Sequence, residues 1–213
     1  MDRKKFIEYA LEEDLGGQRD HTSHACIASD VSSSAELLVK DEGVIAGVEM
    51  AKEIFREVDP DLTISVLIEE GTKVKNGDVV FKVSGPAISI LTAERLVLNC
   101  MQRMSGIATV TAQYVHAVSG TDARVFDTRK TTPLMRSFEK EAVRIGGGHN
   151  HRFGLFDMIL IKDTHIYFSG GIARAIVNAL KYFESNDLDL KIEVETRDFK
   201  ELEEALAIPQ ISR

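Results

Sequence analysis

The sequence predicts an α/β fold in two parts, and three observations carry that expectation. After Gly120, short apolar stretches alternate with helical ones, the rhythm of parallel βα units. From Thr92 to about Ala117, Val97, Met101, Met104 and Ala108 follow helical spacing over an unusually long run. Before that run, short strand patterns and a strong turn signal, Asn76-Gly77, mark a mixed region. Composition and rhythm shift near residues 105–120. We therefore place an N-terminal domain with its linking helix at 1–109 and a second, βα-built domain at 110–213, within the reach of a 213-residue chain.

The elements follow in order. Residues 4–14 form an amphipathic helix ending near Gly16-Gly17. The polar stretch from Gln18 to Ser34 has no period and is expected to run extended over the surface. Ala35–Lys40 reads as a strand, and Val48–Val58 as a helix stopped by Asp59-Pro60. Leu62–Ile68 is a strand. Thr72–Lys75 and Asp78–Val83 flank Asn76-Gly77 as the arms of a hairpin. The long helix has a break signal at Ser105-Gly106. Arg95, Asn99 and Arg103 fall four apart and make a polar stripe on it. Three βα units follow: strand 123–127 with helix 134–145, strand 158–161 with helix 172–184, and strand 190–194 with helix 198–207.

Composition narrows the function. Hydrophobic residues at 44% and charged residues at 28% fit a globular protein with an ordinary core. A net charge of −8 argues against a general nucleic-acid binder. Cys26 and Cys100 form no CxxC pair, so a disulfide framework is not expected. No run approaches the roughly 18 apolar residues of a membrane span, and the charged start MDRKK lacks a secretory pattern. A cytoplasmic protein without a membrane partner is expected.

Ligands in βα architectures bind at the carboxyl ends of the strands. Those ends carry Asp127-Thr128-Arg129-Lys130-Thr131-Thr132-Pro133, Lys162-Asp163-Thr164-His165 and Glu195-Thr196-Arg197. Between the first of these helices and the next strand lies Gly146-Gly147-Gly148-His149-Asn150-His151-Arg152. From Asp127 to His165, seven Lys/Arg face five Asp/Glu, a local net of +2 in a chain of −8. A basic pocket in an acidic protein suits a small, highly anionic substrate. Arginine offers a planar fork for carboxylate or phosphate, and lysine a point charge. One Arg-Lys pair alone reads as surface charge; the recurrence at several strand ends points to a site. The glycine run reads either as a helix stop or as backbone brought close to a ligand. Glu195 reads as a salt-bridge partner or as a carboxylate for Mg²⁺ or ribose hydroxyls.

The segments ALEEDLGG, ERLVLNCMQRMSGIAT at 94–109, DTRKTTP at 127–133, RIGGGHNHRFGLFDMILIKDTH at 144–165 and IEVET at 192–196 resemble quinolinate phosphoribosyltransferases, in that family's order. The resemblance implies an N-terminal α/β sandwich followed by a type II phosphoribosyltransferase α/β barrel, here C-terminally incomplete by about a quarter of the family's length. It implies transfer of phosphoribose from phosphoribosyl pyrophosphate to quinolinate with loss of CO₂, giving nicotinate mononucleotide for NAD synthesis, with Mg²⁺. It also implies a homodimer with a shared active site, or a higher oligomer. By motif, Thr128, Arg129, His151 and Arg152 bind quinolinate, and Arg103 joins them from the neighbouring subunit. Lys130 and Lys162 contact phosphoribosyl pyrophosphate, and Glu195 the ribose or Mg²⁺. Two other readings stand beside it: a paralogue of the same fold, found with molybdate transport genes and using another base, and a non-catalytic fragment. Without the family's remaining strands, the third strand is expected to have an open edge, and residues 1–213 alone to be inactive and prone to aggregate.

Overall fold

The computed structural model describes residues 2–213. They divide into two compact units, the first ending at His151 and the second running from Arg152 to Arg213. The sequence boundary at 109/110 lies inside the long helix of the first unit.

The first unit opens with α1 (Arg3–Leu15), closed by Gly16 in the left-handed conformation. The stretch expected to be wholly extended contains a short helix, α2 (His21–Cys26). Its start is fixed by Asp20, whose Oδ1 accepts from the Ser23 N–H at 3.0 Å. A single capping carboxylate has no periodicity to betray it. β1 (Ser32–Leu38) begins three residues earlier than expected; β2 (Gly43–Val44) follows. α3 spans Val48–Val58, as the sequence predicts.

β3 (Thr63–Val66), β4 (Lys73–Val74) and β5 (Val79–Pro86) complete the strands of this unit. The turn at Asn76-Gly77 is present, with Gly77 at φ 94° and Asp78 N–H donating to Lys75 C=O at 3.1 Å. Its arms do not pair with each other. β5 lies between β1 and β3 in an antiparallel sheet, whereas β4 pairs with β2. The turn is thus a corner between two sheets, a choice made by partners distant in sequence.

α4 runs unbroken from Ala87 to Ala117, through the expected break at Ser105-Gly106. Ser105 Oγ accepts from Ala46 N–H at 2.9 Å and donates to Ala46 C=O at 3.1 Å, so it fastens the helix to the sandwich. α3 and α5 (Arg136–Ile145) both pack on α4. The core joins Ile54 and Phe55 of α3, Val80 and Phe81 of β5, Val97, Met101 and Met104 of α4, and Phe138 and Ala142 of α5. The strand expected at 123–127 is reduced to one parallel bridge, Phe126 to His149. Its partner among the described residues is the short stretch after the glycine run.

The second unit pairs β6 (Ile159–Ile161) and β7 (Ile192–Val194) in parallel. Around them lie α6 (Asp163–Ser169), which the sequence reading missed, α7 (Ile172–Asn186) and α8 (Phe199–Leu206). Ile161, Ile166, Ile176 and Ile192 form its own small core. The edge of β7 expected to be open is partly met: Ser212 N–H donates to Ile192 C=O at 2.8 Å, and Val194 N–H to Arg213 C=O at 3.0 Å.

Candidate active site

In the first unit the site residues lie on two loops held at one root. The loop after Phe126 turns at Thr128, whose Oγ1 accepts from Lys130 N–H at 3.0 Å. Thr128 and Lys130 are exposed. Arg129 is half-buried, and its Nε–H is buried with no partner. A buried guanidinium donor left unpaired is costly in an empty protein and useful to an anionic ligand.

The second loop begins at the glycine run. Gly147 has φ 87°, and Gly148 N–H returns to Val143 C=O at 2.9 Å, closing α5. A Cβ on Gly146 would meet Ala108 O at 2.4 Å, and one on Gly148 would meet Thr111 Cγ2 at 2.8 Å. Close approach to α4 and a helix stop account for these glycines without a ligand. His149 stacks at a tilt on Phe126, with centroids 5.3 Å apart.

Both loops meet at a buried ion pair that sequence reasoning did not single out. Lys140 Nζ lies 2.5 Å from Asp127 Oδ1 and donates to His151 C=O at 3.1 Å. Asp127 Oδ1 also accepts from His151 N–H at 2.8 Å, and Oδ2 from Asn150 Nδ2 at 2.5 Å. Of the basic residues counted toward an anion pocket, Lys140 is therefore committed within the protein. Arg136 is as well, with Nε on Thr131 Oγ1 at 3.1 Å. The available signal was the helical spacing of Arg136, Glu139 and Lys140 on α5.

Arg103 is engaged in its own chain. Its Nε and Nη2 donate to Glu139 Oε1 at 3.0 and 2.7 Å, and Nη2 to Thr132 Oγ1 at 2.9 Å. Glu139 Oε2 takes Thr132 N–H at 3.2 Å, so this buried carboxylate ties α4 to the Arg129 loop. Arg95, on the same stripe, is exposed and makes no side-chain hydrogen bond or ion pair among the described residues.

In the second unit, Arg152 is buried and donates through Nη1 to Met158 C=O at 3.2 Å. Lys162 and Glu195 stand at the carboxyl ends of β6 and β7. The pairing Glu195 N–H to Ile161 C=O, 2.9 Å, brings those ends level. Lys162 Nζ is 3.4 Å from Glu195 Oε1, with both side chains about half exposed at 43% and 52%. Lys162 N–H donates to His165 Nδ1 at 2.9 Å, which holds the first turn of α6.

The family model "Quinolinate phosphoribosyl transferase, N-terminal domain" matches residues 20–105, and "Quinolinate phosphoribosyl transferase, C-terminal domain" matches 107–210. A Bacillus subtilis probable nicotinate-nucleotide pyrophosphorylase (carboxylating) is 40% identical, over 96% of this chain and 69% of the relative. The chain belongs to the quinolinate phosphoribosyltransferase family. Another family member, the mitochondrial quinolinate phosphoribosyltransferase (decarboxylating) 2b of Nicotiana tabacum, is 47% identical over 96% of this chain. The chain spans 58% of that relative's length. The crystal structure of NadC from Streptococcus pyogenes superposes with a TM-score of 0.89 at 38% identity, covering 95% of this chain and 70% of that one. The nicotinate-nucleotide pyrophosphorylase of Francisella tularensis gives 0.88 at 38% identity, covering 96% and 71%. The family's two-domain α/β fold is therefore the fold of this chain. No helix among the described residues is long and apolar enough to cross a membrane.

Proposed function

We propose that this chain carries the substrate-binding and transfer machinery of a phosphoribosyltransferase that converts quinolinate to nicotinate mononucleotide. The observation that carries the reading is the unpaired, buried Nε–H of Arg129, on a loop whose Thr128 Oγ1 and Thr132 N–H are hydrogen-bonded. A dianionic pyridine dicarboxylate supplies the missing acceptor. The family resemblance assigns Thr128, Arg129, His151 and Arg152 to the carboxylates, and Lys130 and Lys162 to the phosphate oxygens of phosphoribosyl pyrophosphate. The half-exposed Lys162–Glu195 pair gives up little when it opens, since solvent-screened pairs are worth about 0–1 kcal/mol. Glu195 is then free for the ribose hydroxyls.

In the transfer, the pyridine nitrogen bonds to C1 of the ribose. The bond from C1 to the pyrophosphate oxygen breaks, and its electron pair leaves with pyrophosphate. Charge builds on the leaving group, where the lysines neutralise it. The ring is then a pyridinium. Its adjacent carboxylate leaves as CO₂, the electrons of that bond pass to the ring carbon, and the carbon takes a proton from water. No side-chain nucleophile is needed. Glu195 is a single carboxylate beside a lysine, which fits a Mg²⁺ that arrives on the pyrophosphate and keeps most of its waters, rather than one held by a protein cage. Bound there, Mg²⁺ would spread the leaving-group charge.

A shared site in a homodimer fits the polar stripe of α4. Arg103 is held to Glu139 and Thr132 through Nε and Nη2 alone and its side chain is 52% exposed, so Nη1 can serve a neighbouring subunit while those bonds stand. Arg95, exposed on the same stripe, is a second donor available across an interface. The test is turnover of quinolinate and of nicotinate, side by side, by residues 1–213 and by a version extended to the length of the relatives. The extended version should release CO₂ from quinolinate and leave nicotinate unused. Use of nicotinate, or of neither base, would overturn the reading.

A further inference from the structure

One face of α5 reaches both anion-binding loops of the first unit. Arg136, Glu139 and Lys140 stand at i, i+3 and i+4, the spacing that puts side chains on one side of a helix. Each ends on a loop rather than in solvent. Arg136 takes Thr131 Oγ1, Glu139 takes Thr132 N–H, and Lys140 takes Asp127 and His151 C=O. Glu139 and Lys140 are 7% and 3% exposed, so these are interior contacts. Asp127 precedes Thr128-Arg129, and His151 precedes Arg152. Asp127 thus lies one and two residues before Thr128 and Arg129, and the pair holds the backbone of His151, the residue before Arg152.

A buried ion pair contributes little net stability over an apolar pair of the same size, so its use calls for another reason. Fixed geometry supplies one. The pair, with Asn150 Nδ2 bridging Asp127 Oδ2 and Lys140 C=O, ties the root of one loop to the root of the other by directional bonds. We propose that Arg136, Glu139 and Lys140, with Asp127 and Asn150, are positioning residues that set the spacing between the Arg129 loop and the His149–His151 loop. Their effect on substrate rests on the quinolinate reading above; their effect on the loops does not.

The experiment uses the extended protein with three variants and two readouts, amide hydrogen exchange and quinolinate affinity by calorimetry. Asp127→Asn combined with Lys140→Met removes the pair without stranding a charge. It should speed exchange in peptides covering 127–133 and 148–152, leaving β1, β3 and β5 as protected as before. Quinolinate affinity should fall by roughly tenfold to a hundredfold, the scale of a misplacement of about 1 Å. Lys140→Arg, which keeps charge and donors, should recover part of both. Asn150→Ala, at an exposed position, keeps the ion pair and folding, and should loosen 148–152 with a smaller loss of affinity; if the double variant does not fold, this one decides. Unchanged exchange in the two loops, or affinity lost only in proportion to unfolded protein with no rescue by arginine, overturns the proposal. Faster loop exchange in a protein whose parent form binds no quinolinate would sink the functional reading and leave the positioning role standing.

Discussion

Gly146→Ala tests whether the glycine run serves packing. Gly146 has φ −73° and ψ 2°, values open to any residue, so alanine adds no backbone strain. What it adds is a methyl group 2.4 Å from Ala108 O and 2.7 Å from Thr111 Cβ. Both neighbours belong to α4, and the nearer is a backbone atom that cannot rotate away. Relief needs α5 and α4 to part by about 1 Å to reach ordinary contact distances. Overpacking of this kind costs about 1–3 kcal/mol. At roughly 2–4 °C per kcal/mol for a chain of this size, the melting transition of the first unit should fall by about 2–12 °C. Gly106→Ala is the control. It lies within α4, and a Cβ there meets nothing within 4 Å, so relief of glycine's entropy should raise stability by about 0.5–1 kcal/mol. Urea and thermal unfolding followed by circular dichroism would read both. Because α5 braces the binding loops, quinolinate affinity should fall with Gly146→Ala and hold with Gly106→Ala. A Gly146→Ala protein as stable as the parent would show that α4 and α5 do not meet as described.

Three further outcomes are expected. In the extended protein, Arg103→Ala and Lys162→Ala should each be inactive and regain activity when mixed, since Arg103 keeps Nη1 uncommitted on a half-exposed side chain; no recovery despite demonstrated subunit exchange would count against a shared site. Burial pushes the Cys100 thiol up to about 11 while Cys26 is exposed, so a disulfide-exchange reagent at neutral pH should titrate one thiol in the native chain and two in denaturant. Burial raises the Glu70 carboxyl above its ordinary value of 4.5, outweighing the N–H groups of Glu49, Gly47 and Val48 that hydrogen-bond it. The folded state then holds that proton more tightly than the unfolded state. Glu70 should therefore cost stability as pH rises through the ordinary glutamate range, with the full penalty above its folded pKa. The stability of Glu70→Gln relative to the parent, from urea unfolding at about pH 4 and pH 7, should improve toward pH 7; a gap that shrinks would refute this.

Local signals in the sequence determined much of the chain. α3 is complete because an amphipathic run ends at Asp59-Pro60, and α8 begins where Asp198 caps it, its Oδ1 taking Glu201 N–H at 2.8 Å. The motif at 144–165 carried the family by itself, since specific residue strings survive where geometry is not yet known. Tertiary structure decided what each charge does. Lys140 and Arg136 counted among the pocket cations and are engaged by Asp127 and Thr131; Arg103, expected to reach quinolinate across an interface, is also hydrogen-bonded to Glu139 of its own chain. It also decided that β4 and β5 part at Gly77 into different sheets and that residues 123–127 make one bridge. Pairing partners and ion-pair partners lie well apart in sequence, 13 residues from Asp127 to Lys140 and 36 from Arg103 to Glu139. Periodicity reports which side of an element is apolar, and only the packed chain sets which distant group fills the remaining hydrogen bonds.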